Sequence, residues 1–268
     1  MKMNVKTIAC TTLLLVAACP AEDKALQDKL RAQFLNKTVT LRGFYSDSDL
    51  KYGPDGHLVS KSATGPWTLD GKIEITGLKI TDKALKISGN RIWVWWSKSR
   101  DNSLEMQLTR SPHIVDIEGE LGPTGEAAVP ALLKDIFIQS GEAMSDLVPE
   151  LWKDYLAGKT TAWHAPSNSG KPEMIRISQG VAEGHIVKKV GPEYPALAKA
   201  ARLQGAVVLH ALIGKDGDIR SLRVKQPLGL GVEESAANAV SQWRYKPTTL
   251  NGDPVEVDTQ ITINYQLR

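Results

Sequence analysis

Cysteine is almost absent from this sequence, which has only Cys10 and Cys19 among its 268 residues. Because both lie near the N-terminus, the remaining chain can form no disulfide and no cysteine zinc site, and it offers no cysteine nucleophile. Stability must therefore come from the burial of apolar side chains, and hydrophobic residues make up 42% of the chain.

An excess of one charge is lacking as well. The formal net charge is +3, and the basic residues are spread along the chain rather than clustered as phosphate binding requires. We therefore expect no nucleic-acid partner.

Motifs of catalysis and cofactor binding are also missing. No serine lies in a nucleophile-elbow sequence, and no glycine-rich loop has the spacing of a phosphate site. Asp216 and Asp218 flank Gly217, which is typical of a tight turn rather than of acid–base chemistry or a calcium site. The histidines are scattered without metal-ligand spacing: His57, His113, His164, His185 and His210. We predict that the chain is not an enzyme and that it binds no cofactor and no metal.

The apolar run near the N-terminus is too short to span a bilayer. Residues 8–18 follow Lys2 and Lys6, and as a helix they would rise only about 16 Å. The hydrocarbon core of a bilayer is about 30 Å thick. Positive charge followed by a short apolar run is instead typical of an export signal.

The end of this run, Val16-Ala17-Ala18-Cys19, resembles the lipobox of bacterial lipoproteins. That resemblance implies a signal peptide over residues 1–18 and a mature chain that begins at Cys19, the site of lipid attachment. The protein would then be lipid-anchored on the periplasmic side of a bacterial membrane. The alternative is an ordinary secretory signal in which Cys19 has no special role.

The rest of the chain is long enough for two domains with separate cores. In the first, residues 19–157, Leu26, Leu30 and Phe34 recur at helical spacing. From Thr38 the apolar period changes to two, which indicates half-buried strands. The residues that carry this period are Val39, Leu41, Ile73, Ile75, Leu85, Ile87, Leu104, Met106, Leu108, Val115 and Ile117. We predict a β-rich domain, an antiparallel sheet or a small barrel, with a Greek-key sandwich as the alternative.

Turn residues separate these strands at 53–56, 69–71 and 88–90. Helical spacing then predicts two helices that close the sheet, over 129–139 and 142–156, and Pro149 should begin or kink the second. Residues 158–173 have the composition of a mobile linker.

Three tryptophans stand out in the first domain. On a strand, Trp93 and Trp95 would share one face and Trp96 would lie on the other. We favour core packing because tryptophan buries a large area, and binding of a sugar, a lipid or a peptide is the alternative.

The last region, residues 174–268, alternates between strand and helix patterns. Helices are predicted to begin at Pro195 and Val232, and Gly205 is expected to end the first of them. Strands are predicted over 174–177, 185–187, 206–213, 218–225 and 255–267.

The punctuating residues of this region form an ordered series: Tyr194, Pro195, Gly205, Asp216, Gly217, Trp243, Pro247 and Gly252. In order and spacing, the series resembles the TonB C-terminal domain from about residue 182 to residue 268. The resemblance implies an α+β domain with a three-stranded antiparallel sheet and two helices. Residues 226–234 depart from the family pattern, and the transmembrane helix and Pro-rich spacer of the family's transducers are not visible upstream.

The resemblance also implies a partner. In the family, a short segment of an outer-membrane TonB-dependent receptor adds as a strand beside the last strand of the sheet, as part of energy-coupled transport. The implied partner-binding residues are Asp258, Thr259, Gln260, Ile261, Thr262, Ile263, Asn264 and Tyr265. One alternative is a structural or assembly lipoprotein of the envelope that forms a homodimer through the same strand. Another is an enzyme in the first domain, which a buried polar cluster among residues 38–150 would support.

Overall fold

The computed structural model describes residues 20–159 and 174–267. The predicted signal peptide and lipid-attachment site, Cys19, and nearly all of the predicted linker lie outside the described residues. None of the described helices has both the length and the apolar composition that a bilayer crossing requires.

The N-terminal part combines one sheet with short helices. Its elements are α1 (Pro20–Phe34), β1 (Thr38–Thr40), β2 (Asp49–Tyr52), α2 (Trp67–Asp70), β3 (Lys72–Ile80), β4 (Ala84–Lys98), β5 (Leu104–Glu120), α3 (Val129–Ile136) and α4 (Glu150–Leu156), with 3-10 turns over Gly122–Ala128 and Met144–Asp146.

The sheet is five-stranded, in the order β1-β3-β4-β5-β2. All pairs are antiparallel except β2 with β5, so the predicted antiparallel sheet forms with one parallel edge strand. Helix α1 packs against β3, where Leu30 is buried and the Gln27 side chain accepts a hydrogen bond from the Ile80 N–H at 3.0 Å. Helix α3 adds Leu132 and Ile136 to the same core.

One predicted turn is wrong. Residues 88–90 lie inside β4, with Gly89 between Ile75 and Val115. A Cβ at Gly89 would lie 2.6 Å from the Glu74 carbonyl oxygen, so glycine is required there by close approach of a neighbouring strand. Residues 69–71 separate β2 from β3 as predicted, and they form the end and C-cap of the single-turn helix α2.

The turn at 53–56 is confirmed, because the Gly53 N–H bonds the His57 carbonyl at 2.9 Å and Gly56 has a φ of 78°. Helix α3 is confirmed but ends at Ile136. The second predicted helix is shorter than expected: Pro149 caps α4, because its ring has no N–H to continue a helix from Met144–Asp146.

The C-terminal part has the predicted alternation. Its elements are β6 (Met174–Arg176), α5 (Gln179–Glu183), β7 (Ile186–Lys188), α6 (Ala196–Ala200), β8 (Gly205–Ile213), β9 (Ile219–Gln226), α7 (Val232–Ser241), β10 (Arg244–Tyr245), β11 (Thr248–Leu250) and β12 (Asp253–Tyr265). Strands β9, β8 and β12 form the predicted three-stranded antiparallel sheet, which β11 and β6 extend along β12. Strands β7 and β10 pair separately.

Most of the motif residues have the structural roles expected of them. Trp243 is buried, and its Nε1–H donates to the Val190 carbonyl at 2.7 Å. Gly217 and Gly252 take positive φ in the two hairpin turns. Gly205 is different: Arg202, with a φ of 54°, takes the left-handed position after α6, and Gly205 opens β8.

The two parts share one apolar core. Trp67, Trp96 and Trp152 pack with ring centroids 5.3 to 6.0 Å apart, and we call these three residues the tryptophan cluster. It lies in the same buried cluster as Val240 and Trp243 of the C-terminal part. The predicted core packing of Trp96 is therefore confirmed, whereas Trp93 and Trp95 are half-buried.

Main-chain pairing joins the two parts as well. Strand β3 accompanies β4 only as far as Ile92. Beyond it, the Trp96 N–H donates to the Leu228 carbonyl at 2.9 Å and the Leu230 N–H donates to the Val94 carbonyl at 3.2 Å. The segment 228–230 thus continues the N-terminal sheet from within the C-terminal part.

Candidate partner-binding edge

Strand β12 has one fully paired edge and one partly paired edge. Along the first, β8 pairs with it from Val257 to Tyr265. Strand β11 pairs with Asp253–Val255, and along the second edge β6 pairs with Glu256–Asp258. From Gln260 to Tyr265 no strand of the described residues pairs with this second edge.

The direction of the main-chain groups on this edge follows from one hydrogen bond. The Ile177 N–H donates to the Asp258 carbonyl at 3.0 Å, so the main chain of Asp258 points toward the second edge. Main-chain groups alternate along a strand. Gln260, Thr262 and Asn264 therefore present their N–H and C=O groups at the open edge.

The side chains divide in the same way. Gln260 and Asn264 are exposed and Thr262 is half-buried. The other predicted residues from this stretch are buried: Thr259, Ile261, Ile263 and Tyr265. They anchor the strand, and the three outward residues are the ones that a partner can reach.

Asp258 already has partners within this chain. It is buried, and its Oδ2 accepts hydrogen bonds from Arg176 Nε at 3.0 Å and Nη2 at 2.7 Å. Its Oδ1 contacts Nε2 of the buried His210. The carboxylate therefore holds β6 against β12, and the open edge begins at Gln260, two residues later than predicted.

The residues that follow β6 line a groove beside this edge. Thr259 Oγ1 donates to the Ile177 carbonyl at 3.0 Å, and Thr262 Oγ1 donates to Gln179 Oε1 at 2.8 Å. Residues 176–179 and 258–260 enclose about 440 Å³. A strand added at the open edge would therefore meet side chains as well as main chain.

No sequence pattern singled out Arg176, Gln179 or His210 as residues of this edge. His210 carries a weak signal, because it falls on the β8 face opposite the apolar one, diagonal to Asp258 across the β8–β12 register. Arg176 carries none, because its partner lies in a parallel strand far along the chain.

The opposite side of the sheet is attached to the N-terminal part. Helix α4 packs against β9, where Arg223 pairs with Glu150 and, at 3.2 Å, with Asp154. Trp152 Nε1–H donates to Glu234 Oε1 at 2.7 Å. Strand β9 ends the sheet on this side, and α4 packs against it.

Glu233 binds the main chain of residues 228–230, which we call the joining segment. Its buried Oε1 accepts hydrogen bonds from the main-chain N–H groups of Leu228 and Gly229, the second at 2.6 Å. Burial and the neighbouring Glu234 raise the pKa of Glu233 to about 7. The carboxyl group therefore gains a proton on folding near neutral pH.

The polar groups that could suggest catalysis have structural partners. Asp216 accepts the Asp218 N–H at 3.1 Å, and Asp218 pairs with Arg244 at 2.9 Å. Among the described residues, no group of histidine and acidic side chains has the arrangement of a metal site.

A buried polar cluster does exist in the N-terminal part. The Arg91 guanidinium donates to the carbonyl oxygens of Asp70, Tyr45 and Asp47 at 2.6 to 2.7 Å. Burial raises the pKa of Asp70 to about 6 despite the opposing effect of Arg91. Because three main-chain carbonyls occupy the guanidinium, the cluster fastens a loop to the end of α2.

Comparison with known proteins gives matches to the C-terminal part. The family described as Gram-negative bacterial TonB protein C-terminal matches residues 190–267. Protein TonB of Vibrio cholerae serotype O1 is 25% identical over 109 residues, which cover 37% of this chain and 45% of that relative. The match thus spans less than half of the relative's length.

Two solved structures are also similar. The solution NMR structure of the Pseudomonas aeruginosa TonB CTD is 22% identical, with a TM-score of 0.28, over 31% of this chain and 84% of that one. The TonB2 protein from Vibrio anguillarum is 20% identical, with a TM-score of 0.26, over 40% of this chain and 95% of that one. The similarity to this family is thus confined to the C-terminal part of the chain, over residues 190–267.

Proposed function

We propose that this protein acts in the bacterial envelope as a TonB-like docking protein, and that it binds an extended segment of a partner as an added strand along β12. The observation that carries this proposal is the open edge from Gln260 to Tyr265, which lies on the last strand of the region that matches the TonB C-terminal family.

The free energy available at this edge is moderate. Gln260, Thr262 and Asn264 together present about six main-chain groups, and each hydrogen bond contributes about 1 kcal/mol net. Association costs about 4 kcal/mol or more. Side-chain contacts in the groove beside Arg176 and Gln179 must therefore supply much of the affinity and the selectivity.

The partner that fits this edge is the N-terminal segment of an outer-membrane TonB-dependent receptor, or of another envelope protein. The family match over residues 190–267 supports the first of these. Attachment of lipid to Cys19 would hold the docking domain on the periplasmic side of a membrane, within reach of such receptors. In this role the chain contributes to energy-coupled transport.

Photo-crosslinking in cells tests the proposal. A photoreactive residue at Gln260 or Asn264 of the full chain should capture a receptor near its N-terminus, identified by mass spectrometry. The matched control is Lys225, which is exposed on β9 at the other side of the sheet. Equal capture at Lys225, or capture of this protein alone, would overturn the proposal.

A substitution pair separates main-chain pairing from side-chain contact. Because the Asn264 N–H points away from β8, Asn264→Pro removes one donor from the docking edge without removing a bond to β8. Asn264→Ala keeps the donor. We expect the proline variant to lose roughly fivefold or more in captured receptor and the alanine variant to lose little, with thermal denaturation as the check that both are folded.

A further inference from the structure

A second open strand edge lies on β5, far from β12 in the chain. Strand β2 pairs with β5 only from Asp116 to Gly119. From residue 104 to residue 110, β5 has β4 on one side and no strand of the described residues on the other. Three large apolar side chains are exposed there: Leu104 at 37%, Met106 at 52% and Leu108 at 51%. We call these three residues the β5 strip.

The main-chain groups of the strip point away from β4. The Trp96 N–H and the Val94 carbonyl bond the segment 228–230, so these residues face away from β5. By alternation, Trp93 and Trp95 bond β5, and their partners in the register are Thr109 and Gln107. The even-numbered residues of this part of β5 therefore present their N–H and C=O groups outward.

The strip lacks the features that usually protect an edge strand. Natural edges carry lysine, proline or an inward charge, or another element covers them. Residues 104–110 contain no lysine and no proline; their charged residues, Glu105 and Arg110, lie outside the strip, and Arg110 Nη2 donates to Glu74 Oε1 at 2.7 Å. Exposed apolar side chains on an unpaired edge favour strand pairing with another chain.

We propose that the β5 strip pairs antiparallel with the β5 strip of a second copy of this chain, about a two-fold axis at Met106. In that register Leu104 lies opposite the partner's Leu108, and Leu108 lies opposite the partner's Leu104. Every outward apolar side chain meets another apolar side chain, so six form one continuous row across the interface.

The charges agree with this register. On the other face Glu105 lies opposite the partner's Gln107, and no two like charges are directly opposed. The outward N–H and C=O groups of the three strip residues meet the same groups of the copy, because hydrogen-bonded pairs in an antiparallel ladder are formed by residues directly opposite each other. A two-fold copy thus satisfies the outward main-chain groups of the three strip residues.

Disulfide trapping in the full chain tests the axis. Residues in a hydrogen-bonded antiparallel pair have Cα atoms about 5.5 Å apart, within the range that a disulfide bridges. Met106→Cys should give a linked dimer under mild oxidation, above the background that Cys10 and Cys19 give in the unsubstituted chain. The matched control is Ile114→Cys, because Ile114 lies on the same strand and is 58% exposed.

A second measurement does not depend on cysteine. Met106→Lys places two ammonium groups at the axis, and we expect it to lower the dimer fraction of the detergent-solubilised chain tenfold or more in analytical ultracentrifugation. Glu105→Lys, on the opposite face, should leave most of the dimer. The proposal is overturned by a chain that sediments as a monomer at all concentrations, by Ile114→Cys linking as strongly as Met106→Cys, or by a dimer that Met106→Lys does not weaken.

Discussion

The two sides of the C-terminal sheet differ in what packs against them. On the β9 side, the tryptophan cluster, Glu233 and the segment 228–230 bury the contact with the N-terminal part. On the β12 side, β6 is held through Arg176, whose side chain is 65% exposed. The first attachment depends on buried apolar contacts, whereas the second depends on an ion pair between the exposed Arg176 and the buried Asp258. The difference teaches that burial decides which edge a partner can use.

Substitution of the tryptophan cluster should have the largest effect on this difference. Trp152→Ala leaves a cavity and removes the donor to Glu234, so we expect a loss of about 4 kcal/mol in the free energy of unfolding. Trp152→Phe keeps a ring and should lose less. Urea denaturation measures both, and equal losses for the two variants would contradict the packing role.

The joining segment should show the next largest effect. Gly229 has a φ of 100°, and a Cβ there would lie 2.5 Å from the Val94 carbonyl oxygen. We expect Gly229→Ala to cost about 3 kcal/mol of stability and to separate the unfolding of the two parts into two transitions. Gly191→Ala is the control, because a Cβ at Gly191 meets nothing within 4 Å. A single unshifted transition for Gly229→Ala would be the contrary result.

The attachment on the β9 side should depend on pH. The pKa of Glu233 is raised from 4.5 to about 7 in the folded chain, so the folded chain binds a proton that the unfolded chain releases between these values. The free energy of unfolding should therefore fall as pH rises through this window and level off above it.

Glu233→Gln keeps the acceptor for Leu228 and Gly229 but does not titrate, so it should remove that part of the pH dependence. Denaturation at about pH 5 and about pH 8 measures the difference, and Glu105→Gln on the surface is the control. A variant that loses as much stability as the parent chain between these pH values would refute the assignment to Glu233.

The smallest effect is expected on the β12 side. Arg176→Ala removes the bidentate contact to Asp258, and because Arg176 is largely exposed we expect a loss of at most about 1 kcal/mol. Hydrogen exchange of β6 should become faster, because β6 separates from β12 more often. Receptor capture at Gln260 should increase, because more of the β12 edge is then unpaired. Arg176→Lys, which keeps the charge, should lie between the two. Unchanged exchange in β6 would show that the ion pair does not hold it.

Local patterns predicted most of the C-terminal elements. Strand alternation and hairpin glycines depend on neighbouring residues, so β8, β9, β12 and the turns at Gly217 and Gly252 could be read from the sequence. The same local rule failed at residues 88–90, where a glycine that usually marks a turn serves the close approach of Glu74.

Contacts between distant residues could not be read in this way. The parallel pairing of Arg176 with Asp258, and the pairing of Leu228–Leu230 with β4, join segments whose own patterns specify no partner. For that reason the sequence predicted strand β12 but neither where its open edge begins nor that the two parts share a core.

The joining segment also constrains the order in which the chain can fold. Trp96 and Leu228 are about 130 residues apart, and this contact completes the open end of β4. During synthesis, the edge of β4 beyond Ile92 therefore stays unpaired until residues 228–230 are available. Such late, long-range closure slows folding and exposes aggregation-prone surface, so a chain cut short before residue 228 should be a target for chaperones and proteases.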